Sequence, residues 1–238
     1  MAERPVFIPW PTGLRLVKEI SISFKFNPGF APVQKKKNVL ALHEAAKIKG
    51  HSLLLEVSTK SEVKFGEQLS AFNLKVKSDE LGEIPLECAF QGSKVFERGG
   101  PYTDLYSMDA RSARKDSRLR DSGRLIEFRF NGFTFPNEPK TAFYDWLYIA
   151  AIFPHRDYLV CLKEYAGFTD IEFNPKKSVN CQARSCAIFV AMMAKGILEA
   201  AIKSPGSFIE AVTPDSFAQP HSSDSAQGKL GLCPEPRN

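Results

Sequence analysis

Alternation of apolar and polar residues is the first signal along this chain. In VKEISISFKF, residues 17–26, Ile20, Ile22, Phe24 and Phe26 share one face at a period of two, which predicts a strand. Pro28-Gly29 breaks it, and the composition from Pro32 to Lys49 turns helical, with Gly50 placed to stop the helix. HSLLLEV (51–57) reads as a second strand, giving a β-α-β unit packed as a small layer on the rest. LSAFNLKVKSDELGEIPLECAFQGSK then predicts a strand near 72–77, a turn at Ser78–Glu83 and a helix opening after Pro85. LIEFRF (125–130) is a short strand, and TAFYDWLYIAAIF (141–153) is apolar nearly all round, a buried helix in which Asp145 needs a partner and Trp146 is core. SVNCQARSCAIFVAMMAKGILEAAI (178–202) is the last long helical pattern, closed by Pro205. Beyond Lys203 the prolines and serines cannot bury enough surface to fold, which predicts a disordered tail.

The fold class is therefore α+β: a mainly helical domain with a small β-sheet. Residues 1–60 form the N-terminal β-α-β elaboration, 61–203 the main domain and 204–238 the tail.

The helix after Pro85, LECAFQGSK, carries an unusual face. With Glu87 at zero, Gln91 falls at about 40° and Lys94 at about −20°, while Cys88, Ala89, Val95 and Phe96 lie opposite. A carboxylate, an amide and an amine thus form one line. A solvated face explains such a stripe in most helices. Here the neighbours are small or aromatic, and Gly92 costs about 1 kcal/mol relative to alanine in a helix interior, which points to close approach and a pocket.

Composition adds limits. Hydrophobic residues make up 43% and charged residues 25%, ordinary for a globular protein with a sizeable core. The sequence has no apolar run long enough to span a membrane, and Met1–Trp10 lacks the apolar stretch of a signal peptide, so a cytoplasmic protein is expected. Cys88, Cys161, Cys181, Cys186 and Cys233 are scattered and the four histidines lie far apart, so reduced thiols and no metal or other cofactor are expected. The net charge is +5, but residues 204–238 contribute −2, which leaves the body at +7. Between 111 and 129, Arg111, Arg114, Lys115, Arg118, Arg120, Arg124 and Arg129 stand against three acids. Such a concentration suits a polyanion or a phosphate-bearing ligand, and equally a wet basic helix.

Three blocks carry a resemblance. LSAFN (69–73) resembles the LSNFY-type opening of the NADAR family, the YbiA-like N-glycosidases; PLECAFQGSKVF (85–96) resembles its Glu-His-x-x-x-Gln-x-x-Lys helix; and TDIEF…SVN (169–180) stands where the family has Asp-x-x-Trp-Gly followed by Asn. With GGPYTDL and FTDIEFNPKKS, residues 4–200 are most similar to the subgroup associated with DarT-type toxins. Cys88 stands in place of the family's His, and Glu172-Phe173 in place of Trp-Gly. The resemblance implies a metal-independent N-glycosidase that removes ADP-ribose from guanine bases in nucleic acid, an antitoxin to a DarT-like toxin encoded alongside, with ADP-ribose as product.

Breaking a glycosidic bond builds positive charge at the anomeric carbon, which a carboxylate stabilises or resolves with activated water. Glu87 suits that role. Lys94, about 10.5 Å further along the helix axis, would fold its stem back to attack ring-opened ribose and form a Schiff base. That requires a neutral amine, hence burial or a cationic neighbour such as Arg98. A milder reading keeps Lys94 protonated on the leaving base or the phosphates. Gln91 either orients ribose hydroxyls or is a surface amide. Ser70, Phe72 and Asn73 open the first motif, Phe72 being a stacking platform or a core residue. Asp170 anchors a ribose hydroxyl or a leaving base, or caps a helix, and Asn180 binds ligand or closes a turn. Gly99 and Gly100 offer backbone N–H groups to a pyrophosphate, with Tyr102 and Asp104 beside them. Arg111, Arg114, Arg118 and Arg124 are candidates for nucleic-acid contact. Two rivals remain: an N-glycosidase acting on a small riboflavin-pathway metabolite, and a non-catalytic ADP-ribose or nucleic-acid binding module.

Overall fold

The computed structural model describes residues 1–217 except Leu14 and Phe30, with backbone alone for 213–217. The chain is α+β. Its N-terminal layer contains β1 (Ala2–Pro9), β2 (Val17–Phe24), α1 (Pro32–Ile48) and β3 (Leu54–Glu56). A short α2 (Lys64–Gln68) leads to a hairpin of β4 (Lys75–Ser78) and β5 (Gly82–Pro85), then α3 (Leu86–Gly92) and β6 (Lys94–Phe96). A 3-10 turn at Thr103–Ser107, α4 (Ala110–Lys115) and α5 (Arg118–Asp121) follow, then β7 (Leu125–Phe130) and β8 (Phe133–Pro136). The second half holds α6 (Ala142–Ile152), β9 (Gly167–Thr169), α7 (Gln182–Lys195), α8 (Leu198–Ala201) and α9 (Pro205–Phe217).

The main sheet runs β2-β1-β9-β3. The alternating residues do build β2, whose Ile22 and Phe24 are buried, while Phe26 lies past its end and is exposed. The β-α-β reading misses β1, which pairs antiparallel with β2 from Ala2↔Phe24 to Pro9↔Val17. Pro5 and Pro9 hide that strand, since proline donates nothing to a ladder, and β9 meets β1 only at Phe7↔Phe168. β9 also pairs parallel with β3, from Leu54↔Gly167 to Glu56↔Thr169, so a strand from the second half lies inside the N-terminal sheet. α1 covers one face, with Val39, Leu42 and Ala46 packed on Val6, Ile22, Phe24 and Ile171. Gly50, at φ +86°, is the left-handed stop expected of it.

The larger core gathers α6, α7 and the sheet β6-β7-β8. Phe128 stacks on Phe143 at 4.5 Å between ring centroids, and Phe90 joins them. Asp145 finds its partners on α7: Ser185 Oγ donates to it at 2.6 Å and the buried Arg184 guanidinium pairs with it. Trp146 is core, its indole N–H donating to the Ile202 carbonyl at 3.1 Å.

Two readings are corrected. The predicted tail begins with a helix: α9 places Phe208 and Val212, four residues apart, fully in the core. That apolar pair supplies the burial that prolines at 205 and 214 obscured, Pro205 itself opening the helix. The remainder of the expected tail, 218–238, lies outside the described residues. The second correction concerns α3, which ends at Gly92, with Ser93 as its C-cap, so Lys94 stands on a strand.

Candidate functional site

The line of three polar residues survives the shorter helix. Glu87 and Gln91 are one turn apart on α3, and the Gln91 amide nitrogen donates to Glu87 Oε1 at 2.7 Å. Because the chain turns at Ser93, Lys94 comes straight back onto that turn, with no folding of its stem along a continued helix. Its Nζ donates to Gln91 Oε1 at 2.6 Å and lies 4.6 Å from the centroid of the Phe90 ring. Gln91 is 8% exposed and the Glu87 side chain 13%, so the line is not a wet face. Burial lowers the Lys94 pKa to about 8; the Glu87 carboxylate works against that shift and Arg114 works with it.

The neighbouring cation is Arg114 of α4, whose Nε stands 3.5 Å from Glu87 Oε1, and not Arg98, which donates to the Asp121 carbonyl at 2.7 Å. Gly92 does permit a close approach, but by protein: a Cβ there would meet the Tyr106 ring at 2.5 Å. Gly99 and Gly100 serve the same end. A Cβ on Gly99 would strike the Tyr102 hydroxyl at 2.3 Å, and one on Gly100 the Lys94 carbonyl oxygen at 2.2 Å. These glycines let the following loop pack behind Lys94. Tyr102 and Asp104 hold Arg118, the tyrosine ring 4.5 Å from its guanidinium and the carboxylate 2.6 Å from Nη2. Cys88, where the family's His would stand, is buried against Leu105 and Ala113 and donates its thiol to the Met108 carbonyl.

A second cluster is built by the loop 69–73 and the end of β9. Asp170 Oδ1 accepts from the backbone N–H of Glu172 (3.0 Å) and Phe173 (3.2 Å), closing a turn and not capping a helix. Its Oδ2 accepts from the Gln182 side chain at 3.0 Å, and Gln182 Oε1 in turn accepts from Ala71 N at 2.6 Å. Gln182, absent from the sequence reading, thus ties the first motif to the third. Burial raises the Asp170 pKa above the ordinary carboxyl range. Ser70 Oγ and Asn180 Oδ1 are sealed from solvent without a hydrogen-bond partner. Phe72 is 55% exposed, so it is no core residue, and Asn73 donates to the Glu67 carbonyl at 2.8 Å.

Two further groups escaped the sequence. Glu56, fully buried at the end of β3, accepts from Ser58 Oγ, Thr169 Oγ1 and Ile171 N, while His43 Nε2 meets Thr169 Oγ1 at 2.8 Å. Burial, then the Asp170 charge, raises the Glu56 pKa; burial lowers that of His43 to about 4. The other is Tyr144 in the first turn of α6, its ring edge-on to Phe90 at 5.3 Å. Its place in a helix apolar all round gave no polar signal.

The basic segment divides. Arg118 pairs with Asp104 and Asp116, Arg124 with Glu97 at 3.3 Å, and Arg129 with Glu127 at 2.5 Å. Arg111, Lys115 and Arg120 are exposed, Arg111 with the Asp109 carboxylate as neighbour and the other two with no salt bridge among the described residues, and Arg114 stands over Glu87 at their edge.

Among the described residues no cluster of three His, Cys, Asp or Glu side chains is placed to hold a metal ion, the cysteines are free thiols, and no helix is long and apolar enough to cross a membrane. No curated protein matches the chain. A family model described as the DarT1-associated NADAR antitoxin matches residues 2–222, and the loop 69–73, the Glu87–Gln91–Lys94 line and the Asp170 turn all fall within it. The chain belongs to the DarT1-associated NADAR antitoxin family.

Proposed function

We propose that this antitoxin is an N-glycosidase that removes ADP-ribose from guanine bases of nucleic acid, with Glu87 and Lys94 as catalytic residues. The observation that carries the reading is the buried line Glu87–Gln91–Lys94, which brings an amine with a pKa lowered to about 8 beside a carboxylate. An amine of that pKa is neutral in a useful fraction near physiological pH and is therefore a nucleophile.

In the proposed reaction the ribose ring opens, leaving C1 as an imine to the guanine nitrogen. The neutral Lys94 amine adds to C1; the tetrahedral carbon collapses, the C1–guanine bond breaks and the guanine nitrogen leaves with a proton delivered through Glu87. Water adds to the lysine Schiff base, and the amine departs as ADP-ribose is released. Gln91 spaces the acid from the amine and prevents their direct ion pairing. In this reading exposed Phe72 stacks a base, and the exposed bases Arg111, Arg114, Lys115 and Arg120 favour a polymer of phosphates over a small metabolite.

The test is incubation with guanine-ADP-ribosylated oligonucleotide, with and without EDTA. ADP-ribose released regardless of chelator, and lost in Glu87→Gln, upholds the reading; binding without turnover leaves a non-catalytic module. Borohydride should trap a covalent adduct that Lys94→Ala abolishes. An adduct surviving that substitution removes the Schiff-base step.

A further inference from the structure

Beside the line Glu87–Gln91–Lys94 one buried polar side chain is unexplained. Tyr144 is 8% exposed, and its hydroxyl makes no hydrogen bond to any described residue. Unlike Ser70 Oγ and Asn180 Oδ1, that hydroxyl is not sealed away, so it keeps some accessible surface. A phenol buried this far with an idle O–H is uncommon, since buried hydroxyls find partners.

Its ring is held beside the amine through Phe90. The ring lies edge-on to Phe90, 5.3 Å between centroids, and the same Phe90 ring carries Lys94 Nζ at 4.6 Å. Burial, and after it the charges of Glu87, Cys181, Asp170 and Asp145, raises its pKa well above the ordinary value. It thus remains a neutral donor throughout the working range.

We infer that Tyr144 is a substrate-contacting residue of this site, its phenol donating a hydrogen bond to the sugar held at Glu87 and Lys94. The inference rests on the glycosidase reading for the identity of the sugar. A donor that cannot ionise suits an oxygen that gains negative charge as the ribose ring opens, because it stabilises that charge without surrendering a proton to bulk solvent.

The experiment compares wild type with Tyr144→Phe, which keeps the ring and its packing on Phe90. Single-turnover release of ADP-ribose from a modified oligonucleotide, ADP-ribose affinity by calorimetry and the thermal midpoint are measured on the full chain. The expected result is a rate lower by about tenfold or more with an unchanged midpoint. A merely structural hydroxyl would move the midpoint and not the rate, and either a lowered midpoint or a rate within about twofold of wild type overturns the inference. Should wild type release no ADP-ribose, the glycosidase reading falls by itself, and the affinities decide: weaker ADP-ribose binding by Tyr144→Phe upholds the contact, while equal binding, or none by wild type, ends it.

Discussion

Lys94 donates to Gln91 at 2.6 Å and Gln91 donates to Glu87 at 2.7 Å, so one amide bridges the amine and the carboxylate. Replacing Gln91 with alanine lets the two ends close on each other. We expect the Lys94 pKa to rise and the single-turnover rate at pH 7 to fall by about tenfold, with recovery at higher pH. A rate deficit equal at all pH values would show that the amide acts on the sugar instead.

The proposed role of the same amine predicts a pH profile. Attack on C1 needs its neutral form, so the wild-type rate should climb with pH and level off above about 8. Arg114 contributes to lowering that pKa; in Arg114→Ala the rising limb should move to higher pH. A limb that stays in place excludes Lys94 as the titrating group.

The paired and unpaired arginines should separate in salt titrations of oligonucleotide binding. Lys115→Ala and Arg120→Ala are each expected to reduce the slope of log affinity against log salt by about one. Arg118→Ala should leave the slope nearly unchanged and cost stability of no more than about 1 kcal/mol, since its bonds to Asp104 and Asp116 are half-exposed.

Glu56→Gln tests the buried carboxyl at the end of β3. The Glu56 pKa is raised on folding above its ordinary 4.5, so the native state keeps a proton that the unfolded chain releases, and stability is lost as pH climbs from there. The amide does not titrate. The difference in unfolding free energy should therefore shift in favour of the mutant with rising pH, and a pH-independent difference would contradict the raised pKa.

Asp145→Ala leaves the Arg184 guanidinium buried without that carboxylate. A loss of about 3–5 kcal/mol is expected, most of it recovered when Arg184→Met is added. Denaturant unfolding of the two variants measures it.

Much of this was legible in the residues because periodicity reports burial. Strand 125–130 and the demand of Asp145 for a partner were stated by pattern alone, and Arg184, 39 residues on, answers it. Residues 86–94 bring the three expected side chains together by another geometry: helical angles place Lys94 near Glu87, and the chain leaves the helix at Ser93 and still returns it there. What pattern could not give were bonds between distant segments. Gln182 meeting both Asp170 and Ala71, or Glu56 meeting Thr169, depends on which strands become neighbours, and β9 is too short to announce itself. Tyr144 was lost because a phenol counts as apolar until its hydroxyl is found idle.

The insertion of β9 between β1 and β3 has a consequence for timing. Phe7 emerges from the ribosome early, yet its partner Phe168 is made about 160 residues later, roughly 8–30 s at ordinary synthesis speeds. Until then the first strand lacks a neighbour on one side, and a nascent antitoxin offers no finished fold.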